Sequence, residues 1–152
     1  MTATELTASL VAGAVYKFWS EAIGSRLPSI YPGMVVDSSE WREWVEVSIA
    51  TWRGPVQRPR GYGRLRVQLT GRVFVRRTTN LGRGAEIAER LRSELAGICL
   101  AVCDPEDEER TVLGYVRFFE PEVRNRSRDE RDAEGNGIEM WTVDWRGSAE
   151  SV

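Results

Sequence analysis

Histidine is absent from these 152 residues, and lysine occurs once, as Lys17. Losing histidine removes the commonest general base, the Ser-His and Cys-His nucleophile pairs, and the commonest metal ligand. Carboxylate chemistry remains open, but an enzyme becomes a weaker expectation. Cysteine is also scarce: Cys99 and Cys103 stand four apart in "CLAVC". On a helix that spacing puts both thiols on one face. A zinc site would need further ligands, which only carboxylates could supply, so the expected reading is two buried thiols in a reducing compartment. No apolar run approaches the ~20 residues that cross a bilayer. The stretch "LTASLVAGAV" follows Glu5 with no basic residue before it, which argues against a secretory leader.

The last scarcity is local. Between Glu46 and Glu86 there is no acid, yet that interval carries Arg53, Arg58, Arg60, Arg64, Arg66, Arg72, Arg76, Arg77 and Arg83. The acids are densest in "DPEDEE", residues 104 to 109. The formal net charge of -2 therefore conceals an uneven layout. Arginine's planar fork suits carboxylates and phosphates alike, so the layout points to a basic partner surface.

What is present reads as one domain of ordinary globular composition, 41% hydrophobic and 29% charged. Residues 4 to 27 predict a long amphipathic helix. Leu6, Leu10, Ala14, Phe18 and Ala22 step by four, with Val11, Val15, Trp19 and Ile23 beside them. Thr2 or Thr4 is the expected cap. A strand follows around 44 to 51, then a connection, "WRGPVQRPRGYG", longer than hairpin loops usually are. The second strand, 64 to 76, alternates most clearly. Leu65, Val67, Leu69, Gly71, Val73 and Val75 share one face, and Arg64, Arg66, Arg72 and Arg76 the other. Gly71 keeps the parity, which predicts a close neighbour there and no bulge.

A helix is expected from about 83 to 102, burying Ile87, Ala88, Leu91, Leu95, Ile98 and Val102. Two strands, "TVLGYVRFF" and "IEMWTVDW", close the chain on either side of a charged loop at 125 to 137, expected to be disordered. The domain is expected to span 1 to 146, with 147 to 152 a disordered tail. The fold class that follows is α+β: a mainly antiparallel four-stranded sheet with helices packed on one face, in the order α-β-β-α-β-β.

"RVFVRRTTNLGRGAEIAERL" runs from strand through glycines into helix, the order of many phosphate sites. No Gly-Lys-Ser/Thr follows, Glu86 stands where a phosphate would sit, and Ala88 replaces the last glycine of a dinucleotide motif. The stretch reads as a corner whose glycines permit positive φ, with Asn80 as a cap.

The succession "WVEVSI", long loop, "RLRVQLTGRVFV", glycine corner, "AEIAERLRSEL" and a last strand "MWTVDW" resembles the tail terminator (tail completion) proteins of tailed bacteriophages. The resemblance covers roughly Trp44 to Trp145 and rests on element order and residue texture. Many relatives carry an aromatic-Thr-Pro step before the corner, where this chain reads "VRRTTNLGRG". The resemblance implies a structural virion protein that forms a homohexamer ring on the tail tube, stops its polymerisation and presents a surface to the head-tail connector. Its implied partners are further copies of itself, the tail tube protein, the connector, and the sheath or tape-measure protein. DNA would pass through the lumen without specific binding, and no membrane is involved. The implied location is the tail-head junction of the virion, after synthesis in the bacterial host cytoplasm. No cofactor, metal or catalytic residue is implied.

On that reading the basic and acidic surfaces are the two halves of a subunit or tube interface. Arg64, Arg66, Arg72 or Arg76, or the loop residues Arg58 and Arg60, would meet Asp104, Glu106, Asp107, Glu108 or Glu109 of a neighbour, with Trp52 and Tyr62 as aromatic anchors. The alternative is an arginine-rich nucleic-acid-binding module, since such a stripe attracts phosphate. "DPEDEE" could hold calcium, but it lacks the alternating Asp/Asn and glycine of an EF-hand loop.

Overall fold

A computed structural model describes residues 5–53, 64–76, 82–127 and 137–152. The first helix, α1 (Ala8–Trp19), is capped by Thr7, whose hydroxyl accepts the Leu10 amide at 3.2 Å. Thr2 and Thr4 lie outside the described residues. The helix runs into a π-helical turn (Ser20–Gly24). Of its two apolar rows, Val11, Val15, Trp19 and Ile23 are buried, whereas Leu10, Ala14, Phe18 and Ala22 are only partly covered.

The strands are β1 (Ser29–Ile30), β2 (Glu43–Arg53), β3 (Leu65–Arg76), β4 (Cys99–Cys103), β5 (Val112–Phe118), β6 (Glu122–Asn125) and β7 (Ile138–Ser151). The second helix, α2 (Arg83–Leu95), follows β3. Among the described residues, these seven strands join one strongly curled sheet in the order β1-β2-β3-β7-β5-β4, with β6 also paired to β7. The sheet is mixed, because β1 runs parallel to β2. The expected four-stranded, mainly antiparallel sheet with helices packed on one face is therefore wrong in strand number and in layering, while every pairing other than β1–β2 is antiparallel.

Three local causes account for the difference. Helix α2 stops at Leu95, and Gly97, at φ +70°, turns the chain into β4. Ile98 and Val102 fit a helical row, but they equally share one parity of a strand. Cys99 is exposed in this strand and Cys103, past a register shift after Val102, is half-buried, so neither is the buried helical thiol expected. Second, Pro121 ends β5 only for the chain to resume as β6. Third, the expected disordered tail is the second half of β7. Gly147 and Ala149 are buried there, and Gly114 to Phe118 of β5 pair with Gly147 to Ser151. Small residues in this stretch serve close packing: a Cβ on Gly147 would lie 2.4 Å from the Arg117 carbonyl oxygen.

The alternation of β3 holds throughout, and its register with both neighbours passes Gly71 unbroken. The close neighbours are two tryptophans. A Cβ at Gly71 would stand 3.3 Å from Trp19 and 3.5 Å from Trp145, whose rings meet edge to face at 5.8 Å. This cluster is the centre of the core, covered by α1. The corner before α2 has a different basis from the one expected. Gly82 takes φ -97°, so positive φ is not its purpose. Gly84 lies inside α2, where a Cβ would come within 2.6 Å of Glu139 and 2.7 Å of Trp141, so it lets the helix approach β7. Asn80 and most of the 125 to 137 loop, residues 128 to 136, lie outside the described residues.

Candidate functional site

The outward parity of the sheet collects the candidate residues. Register places Trp52 of β2 opposite Arg66 of β3, Arg66 opposite Ser148 of β7, Ser148 opposite Arg117 of β5, and Arg117 opposite Cys99 of β4. One row thus crosses five strands. In the next row Tyr115 faces Glu150, and Arg64 pairs with Glu150 at 2.6 Å. Trp52 is 44% exposed, Tyr115 47% and Phe119 53%. Arg64, Tyr115, Arg117, Phe119 and Glu150 line an open groove of about 520 Å³ on this face. Arg66, Arg117 and the neighbouring Arg146 are exposed and have no ion-pair partner among the described residues. An exposed guanidinium beside exposed aromatic faces is a surface suited to an anionic, partly apolar partner.

On the arginine face of β3, Gln68 and Thr70 stand between Arg66 and Arg72, and Thr70 is engaged with Asp144 at 2.7 Å. Arg72 is exposed and stands between Glu46 and Thr142. Arg76 is committed to the fold. It donates to the carbonyls of Trp41 at 2.8 Å and Ser38 at 3.0 Å, and its guanidinium lies 5.1 Å from the Trp44 ring, itself stacked on Phe74. Arg76 thus fastens the 31 to 42 connector. Arg58, Arg60 and Tyr62 lie outside the described residues.

The acidic candidates form the tip of the β4–β5 hairpin. Asp104 and Asp107 build the turn: Asp104 accepts the Glu106 amide and Asp107 the Glu109 amide, each at 3.0 Å, and Asp107 also accepts from the Thr111 hydroxyl. Those bonds, the one from Thr111 first, hold the Asp107 carboxyl below the usual aspartate range. Arg110 takes φ 52° to complete the turn. Glu106, Glu108 and Glu109 project from it, exposed and without an ion-pair partner among the described residues. Among the described residues, no group of three or more Cys, Asp or Glu is arranged to hold a metal ion.

The structure therefore joins Arg64, Arg66 and Trp52 with Tyr115, Arg117, Phe119, Arg146 and Glu150, which sequence reasoning passed over. The signal was present in "LGYVRFF", where Tyr115, Arg117 and Phe119 share the polar parity of a strand. What was missing was the knowledge that β5 lies beside β7, which only the strand order supplies.

No family model matches this sequence. No curated protein matches it either. Among solved structures, one aligns over 95% of this chain and 96% of its own with a TM-score of 0.69 at 11% identity. At that identity the likeness speaks to the fold alone.

Proposed function

We propose that the chain caps a bacteriophage tail tube as a ring, ending tube growth and presenting a surface to the head connector. The observation that carries this is the separation of two unlike surfaces on one subunit. A basic, aromatic sheet face lies on β2, β3, β7 and β5, and an acidic tip ends the β4–β5 hairpin. A closed ring needs this asymmetry, because each subunit meets the next through a different surface. Unpaired charges on both surfaces fit a contact that sets register and orientation.

The direct test is to polymerise purified tail tube protein with and without this chain. Tubes that stop growing and carry a ring of density at one end are expected. Tubes of unchanged length with bare ends would contradict the proposal.

One observation favours a second reading. Tyr115 and Phe119 beside Arg117 and Arg64 resemble the stacking platforms and basic groove that hold single-stranded nucleic acid. A gel shift with a steep salt dependence would support that module, and its absence would leave the ring reading alone.

A further inference from the structure

The two borders of the sheet are treated differently. On the β2 side, β1 pairs with Val45 and Glu46, the Tyr16 hydroxyl accepts the Ile49 amide at 3.1 Å, and Arg53 reaches the Leu6 carbonyl. On the other side β4 is the last strand, and nothing among the described residues pairs with its outer edge. Its residues, Cys-Leu-Ala-Val-Cys, include none of the charges or prolines by which natural edge strands usually avoid pairing.

The orientation of that edge follows from one hydrogen bond. The Phe118 amide donates to the Ile98 carbonyl at 3.0 Å, and Leu100 and Val102 continue that pattern opposite Val116 and Gly114. In an antiparallel ladder alternate residues point away. The backbone groups of Cys99 and Ala101 therefore face outward. Beside them runs a groove of about 910 Å³ between β4 and α1. Its floor is the half-covered row Leu10, Ala14 and Phe18. Its rim carries Glu21, Asp104, Asp107 and Glu108 against Lys17 and Arg110, an acidic excess.

We propose that this groove receives the β2–β3 connection, residues 54 to 63, of a second copy, which adds to β4 as a further strand. The connection carries Arg58 and Arg60, is flanked by Arg53 and Arg64, and contains no acid, so its charge complements the rim. It is ten residues long where a hairpin needs two to five. Its two prolines, Pro55 and Pro59, share one parity. In an added strand both would point their missing donors away from β4, while Val56, Arg58 and Arg60 would turn their amides toward it. The contact joins unlike surfaces, so it is head-to-tail. It rests on the ring reading above for there being a ring to close.

The test uses the full chain. Ala101→Pro removes an outward amide without touching the β4–β5 ladder, and R58E/R60E reverses the docking segment. Cooperative thermal melts, with far-ultraviolet circular dichroism spectra matching the wild type, establish first that both variants fold. The wild type is expected to assemble, and each variant alone to sediment as a monomer. Mixed together, they should form a dimer and stop there, because only the intact segment of one can meet the intact edge of the other. Amide exchange at Cys99 and Ala101 should slow at least tenfold as the wild type assembles. Variants that assemble normally, a mixture that stays monomeric, or a wild type that never associates would each overturn the contact, the last including a segment that docks on its own chain. Edge protection only on adding tube protein would also overturn it. Normal tails in particles lacking the chain would sink the tail reading alone and leave this contact intact.

Discussion

Arg83 grips Glu43 through two parallel hydrogen bonds of 2.8 Å, tying the first turn of α2 to the start of β2. The bond from Arg83 holds the Glu43 carboxyl below the ordinary glutamate range. A carboxylate whose pKa is lowered by folding stabilises the fold above its unfolded pKa, about 4.3, and loses that contribution as pH falls through the folded value. Glu43→Gln should therefore cost about 1–2 kcal/mol at pH 7. Urea melts should show the difference shrinking toward pH 3, because the wild type loses the pair there as well.

Arg76 offers a second stability test, of the connector. Arg76→Lys keeps the charge but loses the fork that serves Ser38 and Trp41 together. A loss of about 1–2 kcal/mol in chemical denaturation is expected. Ring assembly per subunit folded should be unchanged, since Arg76 is engaged by its own connector.

The end of the chain should prove structural. A methyl group at Gly147 meets the Arg117 carbonyl, which belongs to the backbone and cannot swing aside. Gly147→Ala should destabilise by about 2 kcal/mol or more. Removing residues 147 to 152 takes away the partner of β5 and should abolish the cooperative thermal transition.

The surface candidates should behave in the opposite way. Arg66→Glu with Arg117→Glu changes exposed side chains and should move stability by no more than about 0.5 kcal/mol. Capping of tail tubes in the purified system should nevertheless fail. Reversing Glu108 and Glu109 to arginine should likewise leave the melt in place while impairing ring closure, measured by sedimentation.

How far these features were legible in the sequence depends on how far apart their causes lie. Strand β3 and the role of Gly71 could be read directly, because strict alternation over twelve residues admits one period. The amphipathic character of α1 was legible at a spacing of four, but not that the row of Val11, Val15, Trp19 and Ile23 is the buried one. The end of α2 was not, since Ile98 and Val102 satisfy helix and strand alike, and Gly97 decides between them only through its positive φ. Strand β7 was cut short because Gly147, Ser148 and Ala149 look like a tail until β5 is known to lie against them. The site followed the same rule. Arg64, Arg66 and Trp52 lie near one another in sequence and could be singled out there as candidates. Tyr115, Arg117 and Arg146 join them only through strand order. Arg76 was misjudged because its partners are carbonyls, which leave no mark in a sequence.

The most direct test of the central claim is electron microscopy of particles assembled without this chain. The ring reading predicts overlong, uncapped tubes or tails without heads. Tails of normal length joined to heads would contradict it.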